Sequence, residues 1–258
     1  MTAMPSLFLS HGAPTLALSD SPARHFLAGL GAEIGRPRAV VVATAHWEAA
    51  APAVGGAAAP ETVHDFHGFP PELYAVRYPA PGAPDLAAAV AARLAAAGLP
   101  AAVDPRRGLD HGVWVPLSLM YPAADVPVVP LSVQSGLGAE HHLRLGAALA
   151  GLRDEGVLVV GSGSLTHNLR EFRGRAEDAP PPDWVAGFAD WVAAAVAGDR
   201  RDDLAAWERL APGAARNHPT PEHLLPLFVA LGAGRGPGRR LHASHSFGIL
   251  AMDVYAWA

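Results

Sequence analysis

The amino-acid sequence predicts an α/β protein, a single-domain sandwich with a central, largely parallel β-sheet flanked by helices. Short, continuous runs rich in Val and Leu are typical of strands that are buried on both faces of a sheet. Longer stretches with apolar residues at helical spacing alternate with these runs, which favours parallel strands joined by helices. The chain has 258 residues, of which 50% are hydrophobic, and no linker divides it. We therefore expect one domain over residues 1–258.

The individual strands and helices follow from the same two patterns. Continuous apolar runs predict strands at residues 6–9, 39–44, 126–133 and 157–161. Helical spacing predicts helices at residues 21–30, 85–97, 139–153, 183–197, 203–210 and 221–231. Gly98 and Gly156 follow two of the helical segments, where glycine favours the left-handed conformation that ends a helix.

The start of the last predicted helix lies in the stretch "NHPTPEHLLPL". Thr220 fits an N-cap, Pro221 the first helical position and Glu222 the first turn. His223 is then expected in that first turn, whereas His218 precedes the cap and is expected to be exposed. His223 is therefore a candidate metal ligand, with a packing or capping role as the alternative.

The segment of residues 49–84 is a long connection that contains "VHDFHGFPPELYAVRYPAPGAP". A loop of this length with aromatic and histidine side chains predicts a lid or a wall of a site. Phe66 is able to stack on an aromatic substrate, and His64 and Asp65 are able to reach a substrate side chain. The alternatives are an irregular surface crossover and, for His64 and Asp65, an exposed polar pair.

Composition and charge exclude several classes of function. The net charge is −5 and the chain has no run of Lys or Arg, which argues against nucleic acid or an anionic membrane as a partner. No signal peptide is recognisable, and no apolar run approaches the roughly 18 residues of a membrane span, so a cytoplasmic protein is expected. Cysteine is absent and there are 13 histidines, so His, Asp or Glu must hold any metal.

Histidines follow three of the predicted strands. The stretch "SLFLSHGAP" ends its apolar run at His11, "AVVVATAHWE" ends at His46, and "VLVVGSGSLTHNL" leads to His167. Ligands of open α/β sheets bind outside the carboxyl ends of the strands, so these side chains are expected to converge. Imidazole suits Fe(II), Zn and Cu. The pattern therefore predicts a mononuclear metal site.

One more histidine stands before a helical segment. His111, in "GLDHGVWVPLSLMYP", is placed to donate a hydrogen bond to a substrate oxygen, or simply to cap the helix. Ordinary packing or capping roles are expected for six other histidines, which are His25, His67, His141, His142, His242 and His245.

Six blocks in the same order resemble a known family. They are "LFLSHGAP", "ATAHWE", "HDFHGFPPELYAVRYPAPGAP", "LDHGVWVPL", "GSGSLTHNL" and "PTPEHLLPL". Together they resemble the DOPA-type (DODA-like) branch of the class III extradiol ring-cleavage dioxygenases. The blocks span most of the chain, and six ordered blocks are far more specific than one motif.

The resemblance implies a mononuclear non-haem Fe(II) site that zinc is able to occupy. His11, His46 and His223 match the three metal ligands of the family. His167 matches the acid/base histidine, with a role as a fourth ligand left open, and His111 matches a histidine of the substrate pocket. The substrates implied are O₂ and a catechol, either DOPA or another aromatic diol; the position of ring cleavage and the oligomeric state stay open.

The third ligand distinguishes this chain from the protocatechuate-type relatives, which use two histidines and a glutamate. Here that position is His223, with Glu222 beside it. Three histidines also resemble catalytic zinc sites. Two alternatives therefore remain: a zinc-dependent hydrolase that uses the same histidine site, and a binding protein with structural zinc.

Overall fold

An eight-stranded sheet forms the centre of the computed structural model, which describes residues 3–258. Its strands are β1 (Ser6–Ser10), β2 (Ala39–Glu48), β3 (Ala53–Gly55), β4 (Ala102–Asp104), β5 (Val128–Val133), β6 (Val157–Gly163), β7 (Arg239–His242) and β10 (Val254–Trp257). A separate pair is formed by β8 (His245–Ser246) and β9 (Leu250–Ala251). The order across the large sheet is β4-β3-β5-β2-β6-β1-β10-β7.

The middle of the sheet is parallel and its borders are not. Strands β5, β2, β6 and β1 run in the same direction, whereas β10 and β7 continue the sheet in antiparallel fashion. On the other side, β3 is antiparallel to β5 and parallel to β4. This arrangement confirms the predicted α/β class with a largely parallel sheet.

Helices cover both faces of the sheet. They are α1 (Pro22–Ile34), α2 (Pro71–Ala75), α3 (Pro84–Ala96), α4 (His111–Met120), α5 (Gly138–Leu149), α6 (Asp183–Ala197), α7 (Arg201–Ala205), α8 (Trp207–Leu210), α9 (Ala214–Asn217) and α10 (Leu225–Ala233). Successive residues of β2 point to opposite faces, as strand geometry requires. Val40 and Val42 pack in the core with α1 and α4, and Val41 packs in the core with α3, α5 and α10.

The last long helix starts later than the sequence predicts. Thr220 is not its N-cap, and α10 begins at Leu225, so His223 precedes the helix. The reason is Pro226, which has no N–H to donate to the carbonyl of Glu222 and therefore interrupts a helix that started at Pro221. Instead, the N–H groups of Leu224 and Leu225 both donate to the carbonyl of Pro221 in a separate turn.

Two further differences from the sequence prediction concern the exposure of His218 and the length of one helix. His218 is buried rather than exposed, because its ring packs beside Phe188 and Trp207; its Nε2 forms a hydrogen bond of 2.8 Å with the carbonyl of Leu165. The helix predicted at residues 203–210 is divided at Ala206 into the short helices α7 and α8. Gly98 and Gly156 do adopt left-handed φ angles, of +74° and +78°.

The long connection of residues 49–84 is partly regular. It carries β3 and the short helix α2, and Thr62 forms an isolated bridge with Leu109. Within residues 3–258, no helix is both long enough and apolar enough to cross a membrane.

One buried histidine of α5 links stability to pH. His142 is fully buried; its Nδ1–H donates to the carbonyl of Gly138 at 2.6 Å, and its Nε2 accepts from the N–H of Gln134 at 3.1 Å. Burial lowers the pKa of His142 to about 4. Its neutral form therefore stabilises the fold fully above pH of about 6.5, and this contribution is lost as the pH falls towards 4.

Replacing His142 by glutamine is expected to reduce this acid sensitivity. The fall in the free energy of unfolding between pH 7 and pH 4 should be smaller by about 3 kcal/mol in the variant, measured by urea unfolding of metal-free protein. His25→Gln changes an exposed side chain and is the matched control, for which the fall should equal that of the unchanged protein. If the free energy of unfolding of His142→Gln fell as much as that of the unchanged protein, His142 would not be the source of this acid sensitivity.

Candidate metal centre

His11 and His46 meet at the carboxyl edge of the parallel strands. Both β1 and β2 pair with β6, and their last paired residues are Ser10, opposite Gly163, and Thr44, opposite Ser162. The two histidines lie just beyond these positions. Their Nε2 atoms are 3.0 Å apart. The β2 strand itself continues to Glu48, so His46 lies within a strand that has already left β6.

Glycine allows the chain to turn away directly after His11. Gly12 has a φ of +62°, and a Cβ atom there would lie 2.6 Å from the Cε of Met252. A side chain would therefore be strained in conformation and crowded by its neighbour.

His223 reaches the same point from the turn before α10. Its carbonyl accepts a hydrogen bond of 2.8 Å from the N–H of Ser164, just after β6. Gly163 makes this approach feasible, because a Cβ atom at that position would lie only 2.1 Å from the carbonyl oxygen of His223. The Nε2 atom of His223 is then 3.3 Å from that of His46. Three imidazoles from distant parts of the chain thus form one cluster.

The other ring nitrogen of each cluster histidine has its own partner. The Nδ1 of His223 donates to Oε1 of Glu222 at 2.9 Å, and the Nδ1 of His46 lies 3.4 Å from Oδ2 of Asp65. The Nδ1 of His11 is 3.0 Å from the Oγ of Ser162, whose own proton goes to the carbonyl of Gly112. All three Nδ1 atoms are therefore protonated, and the Nε2 lone pairs face one another.

This donor set fits a divalent metal ion. Three lone pairs directed at a common point repel one another unless a cation lies between them, and neutral imidazole with its second nitrogen hydrogen bonded is the usual form of a histidine ligand. His11, His46 and His223 place their ligand atoms within 4.8 Å of one another. The side chains are therefore arranged as a three-histidine metal site.

Electrostatics keeps these imidazoles neutral. Burial, followed by the nearby histidines, holds the pKa of His11 and of His223 well below the usual value. Burial and the proximity of His111 lower the pKa of His46 to about 3. Because only neutral imidazole binds a metal, the cluster is ready for a cation at neutral pH.

Asp65 connects the cluster to His111, the first residue of α4. Its Oδ1 accepts hydrogen bonds from the Nδ1 of His111 at 2.9 Å and from the backbone N–H of His111 at 3.0 Å. Burial alone would raise the pKa of Asp65, but these hydrogen bonds and the charge of His111 lower it to about 2. The rings of His46 and His111 are 3.9 Å apart. One carboxylate therefore orients two imidazoles.

A second buried carboxylate joins the end of β2 to the start of α4. Asp110 accepts a hydrogen bond of 2.8 Å from the hydroxyl of Thr44, and Thr44 Oγ1 in turn accepts from the N–H of His46 at 3.3 Å. Arg107 pairs with the same carboxylate. This network holds the backbone that carries His46 beside the backbone that carries His111.

His167 lies against the cluster from the other side. Its ring stacks on that of His223, with 3.5 Å between the centroids and 12° between the planes. Burial lowers the pKa of His167 to about 4, against the raising effect of Glu222. His167, Glu222 and His223 form a further group of closely spaced ligand atoms. The geometry leaves both roles open for His167, as a base beside the metal and as a fourth ligand.

A cleft of about 530 Å³ opens above the cluster. His11, His46, His111, His167 and His223 all line it. Its apolar walls are formed by Phe66, Phe69, Leu169, Phe172, Phe247 and Leu250.

The three residues expected from the loop have different positions. Phe66 lines the cleft, whereas His64 and Asp65 do not. His64 donates from Nε2 to the carbonyl of Val76 at 3.1 Å and so stabilises the loop, and Asp65 lies behind His46 and His111. His67, expected to have only a packing role, lines the cleft.

Sequence reasoning missed the opposite wall and the partners of the ligands. Phe172 follows His167 by five residues, and this short spacing could have indicated that it lines the cleft. Phe247 lies in the C-terminal region, where no local pattern indicates a role in the cleft. For Ser162 and Gly163, the Gly/Ser run at the end of β6 was only a weak signal. Their roles towards His11 and His223 depend on contacts between segments far apart in the chain.

Comparison with known proteins supports a ring-opening enzyme family. Residues 5–251 match the family described as the catalytic LigB subunit of aromatic ring-opening dioxygenase. The chain is 42% identical to the 4,5-DOPA dioxygenase extradiol of Beta vulgaris, over 97% of this chain and 95% of that protein. It is 41% identical to the protein of the same name from Escherichia coli K12, over 91% and 87% of the two chains.

A solved structure shows the same fold. The crystal structure of an uncharacterized protein from Escherichia coli K12 superposes with a TM-score of 0.83 at 34% identity, covering 99% of this chain and 100% of the other. The family match extends from β1 to β9 and includes all five histidines of the cleft. The chain therefore belongs to the LigB family of extradiol, aromatic ring-opening dioxygenases.

Proposed function

We propose that the chain is a non-haem Fe(II)-dependent extradiol dioxygenase that opens the ring of a catechol, DOPA-like or another aromatic diol, with O₂. Residues 1–258 form its single catalytic domain. The observation that carries the proposal is the cluster of three Nε2 atoms at the base of a cleft with aromatic walls. The Nε2 of His46 lies 3.0 Å from that of His11 and 3.3 Å from that of His223. The names of the relatives from Beta vulgaris and Escherichia coli support a catechol substrate.

His11, His46 and His223 would hold the metal. Fe(II) supplies the one-electron chemistry by which O₂, a triplet molecule, reacts with a catechol. Three neutral ligands suit Zn(II) equally well, so zinc is expected to compete for the site and to give a form without oxygenase activity. The carboxylate of Glu222, which accepts a hydrogen bond from His223, and that of Asp65, which lies 3.4 Å from the Nδ1 of His46, increase the basicity of these two ligands.

His167 is the proposed acid/base residue. It lines the cleft beside His223 and is therefore close to any hydroxyl group that lies over the cluster. It would accept a proton from the bound catechol and return it to an oxygen atom as the ring opens, a double role that suits imidazole.

His111 is proposed to orient the substrate. Its Nδ1 is committed to Asp65, so Nε2 is the ring nitrogen that is free to form a hydrogen bond with a substrate oxygen. The ring of Phe66 lies edge-on to His111 at 5.7 Å and would pack against the aromatic ring of the substrate. His64 and Asp65 serve the substrate only indirectly, through the loop and through His111.

Replacing Asp65 by asparagine is expected to weaken metal binding. An amide cannot act as the charged acceptor for His46 and His111 at once, and loss of such a partner typically costs about 10–100-fold in metal affinity. The dissociation constant for Zn(II), measured by competition with a chelator, is the readout. Glu61→Gln, on the exposed part of the same loop, is the control. Unchanged zinc affinity in Asp65→Asn would contradict the positioning role.

Anaerobic reconstitution with Fe(II) tests the function directly. Air and a panel of catechols are then added while O₂ uptake and the absorbance of a yellow ring-opened semialdehyde are recorded. The proposal is supported if O₂ is consumed in the same molar amount as the semialdehyde is formed, and if both stop when Zn(II) replaces Fe(II). No uptake with any catechol at full iron occupancy refutes it, and ester hydrolysis under argon would then indicate a zinc hydrolase.

A further inference from the structure

Phe247, on the wall of the cleft, has an unusual backbone conformation. It lies in the turn between β8 and β9 with a φ of +55°, and Gly248 follows with a φ of +66°. Among residues 3–258, the other non-glycine residues with a left-handed φ are Ala124 and Asp199, which have smaller side chains. A bulky residue rarely adopts this conformation, and such strain is concentrated at functional sites.

Neighbouring segments hold Phe247 in this conformation. Its N–H donates to the carbonyl of Glu177 at 2.8 Å, and its ring lies 4.5 Å from that of Phe172. The hydroxyl of Thr166, directly before the proposed acid/base residue, donates to the carbonyl of Ile249 at 2.8 Å. The turn and the ring that it carries are therefore fixed relative to the base of the cleft.

The ring of Phe247 borders a second space besides the cleft. A narrow crevice lies behind it and shares Ala13, Thr15 and Phe247 with the lining of the cleft. The crevice has a volume of about 10 Å³, so it admits no more than about one water molecule. The polar side chains of its lining are those of Thr15, Ser19, Glu177 and Ser246.

The crevice leads to a larger, open cavity of about 570 Å³. The two spaces share Glu177 and Ser246. The side chain of Phe247 thus stands between the apolar walls of the cleft and a polar region on its far side. Removal of this side chain would join the cleft, the crevice and the open cavity into one groove.

We propose that Phe247 is a specificity-determining residue that closes this side of the cleft and restricts ring opening to catechols with a short substituent. The inference rests on the proposed ring-opening function, because it narrows the substrate class of the same site. A DOPA-like side chain is short and remains within this class. A catechol with an extended chain meets the ring of Phe247 instead of the crevice.

Equilibrium binding to the zinc-loaded protein tests this role without turnover. The probes are 4-methylcatechol and 4-(6-hydroxyhexyl)catechol, titrated by calorimetry; the longer chain ends in a hydroxyl that suits the polar lining of the crevice. The unchanged protein is expected to bind the long probe no more tightly than the short one. Tighter binding of the long probe to the unchanged protein overturns the inference.

Two variants open the proposed barrier. Glycine and asparagine both tolerate a left-handed φ, so Phe247→Gly and Phe247→Asn keep the turn and remove the ring. The affinity for the long probe relative to the short one should rise at least about tenfold, the gain expected from burial of about two further methylene groups. Phe247→Tyr keeps the ring and is the matched control. The inference holds if either variant gives this rise and Phe247→Tyr does not; it is overturned if neither does, or if Phe247→Tyr does so too.

The Fe(II) protein separates this inference from the function itself. The same rise is expected in kcat/KM for ring opening of the long probe relative to the short one. If no catechol is opened while the zinc form shows the rise in affinity, the proposed function fails and the role of Phe247 in binding holds. If rings are opened and neither variant changes the ratio, only the inference fails.

Discussion

Replacing His46 by alanine is expected to abolish tight metal binding and, with it, ring opening. His46 is the central member of the cluster, with its Nε2 3.0 Å from that of His11 and 3.3 Å from that of His223. Loss of a hydrogen-bond partner of a ligand already costs about 10–100-fold in metal affinity, so loss of the ligand should cost at least about a hundredfold. Turnover should fall in proportion to the lost iron.

Metal analysis and thermal unfolding measure this effect independently of activity. Saturating Zn(II) should raise the Tm of the unchanged protein, since a ligand that binds only the folded state stabilises it, and should leave the Tm of His46→Ala unchanged. The metal-free variant should remain folded, because removal of one imidazole relieves the crowding of three lone pairs. His67→Ala is the matched control, since His67 lines the cleft outside the cluster. Full metal occupancy in His46→Ala would remove this residue from the ligand set.

Replacing His167 by glutamine is expected to leave the metal in place and to lower kcat by about 10²–10⁴-fold, the usual contribution of general acid–base catalysis. Glutamine retains hydrogen-bonding capacity and occupies a similar volume, but it cannot carry a proton between substrate oxygens. The stacking of His167 on His223, at 3.5 Å, places it beside the metal ligands. The variant therefore separates proton transfer from metal binding.

Chemical rescue distinguishes this role from a structural one. In His167→Ala, added imidazole has room in a cleft of about 530 Å³ and should restore part of kcat without changing iron occupancy. Single-turnover absorbance and metal analysis of the same samples give both quantities. Loss of iron in His167→Gln would instead identify His167 as a ligand, and turnover near that of the unchanged protein would refute the acid/base role.

The parts of the fold that sequence reasoning located are those with local causes. Continuous apolar runs predict buried strands because both faces of a central strand are covered, and β1, β2, β5 and β6 lie where such runs occur. Helix α6 has the predicted limits, Asp183–Ala197. The predicted start of α10 is wrong because the missing N–H of Pro226 outweighs the cap pattern at Thr220.

The exposure of single side chains was harder to predict from the sequence than the strands and helices. His218 stands next to a proline in a stretch typical of a turn, yet it is buried against Leu165. Asp65 and His64 looked equivalent in the loop, but one orients two imidazoles and the other stabilises the loop backbone. Burial depends on what packs over a residue, and for His218 and Asp65 that partner is distant in the chain.

The sequence by itself determined the α/β class, the absence of thiolate ligands and the positions of histidines after apolar runs, because composition and periodicity are local properties. Only the tertiary structure decided that the Nε2 atoms of His11, His46 and His223 face one another, that Asp65, Ser162 and Glu222 set their protonation, and that Phe172 and Phe247 complete an uncharged cleft. These features depend on distances between segments more than two hundred residues apart, such as those of His11 and His223, and the register of β1, β2 and β6 helps to set these distances.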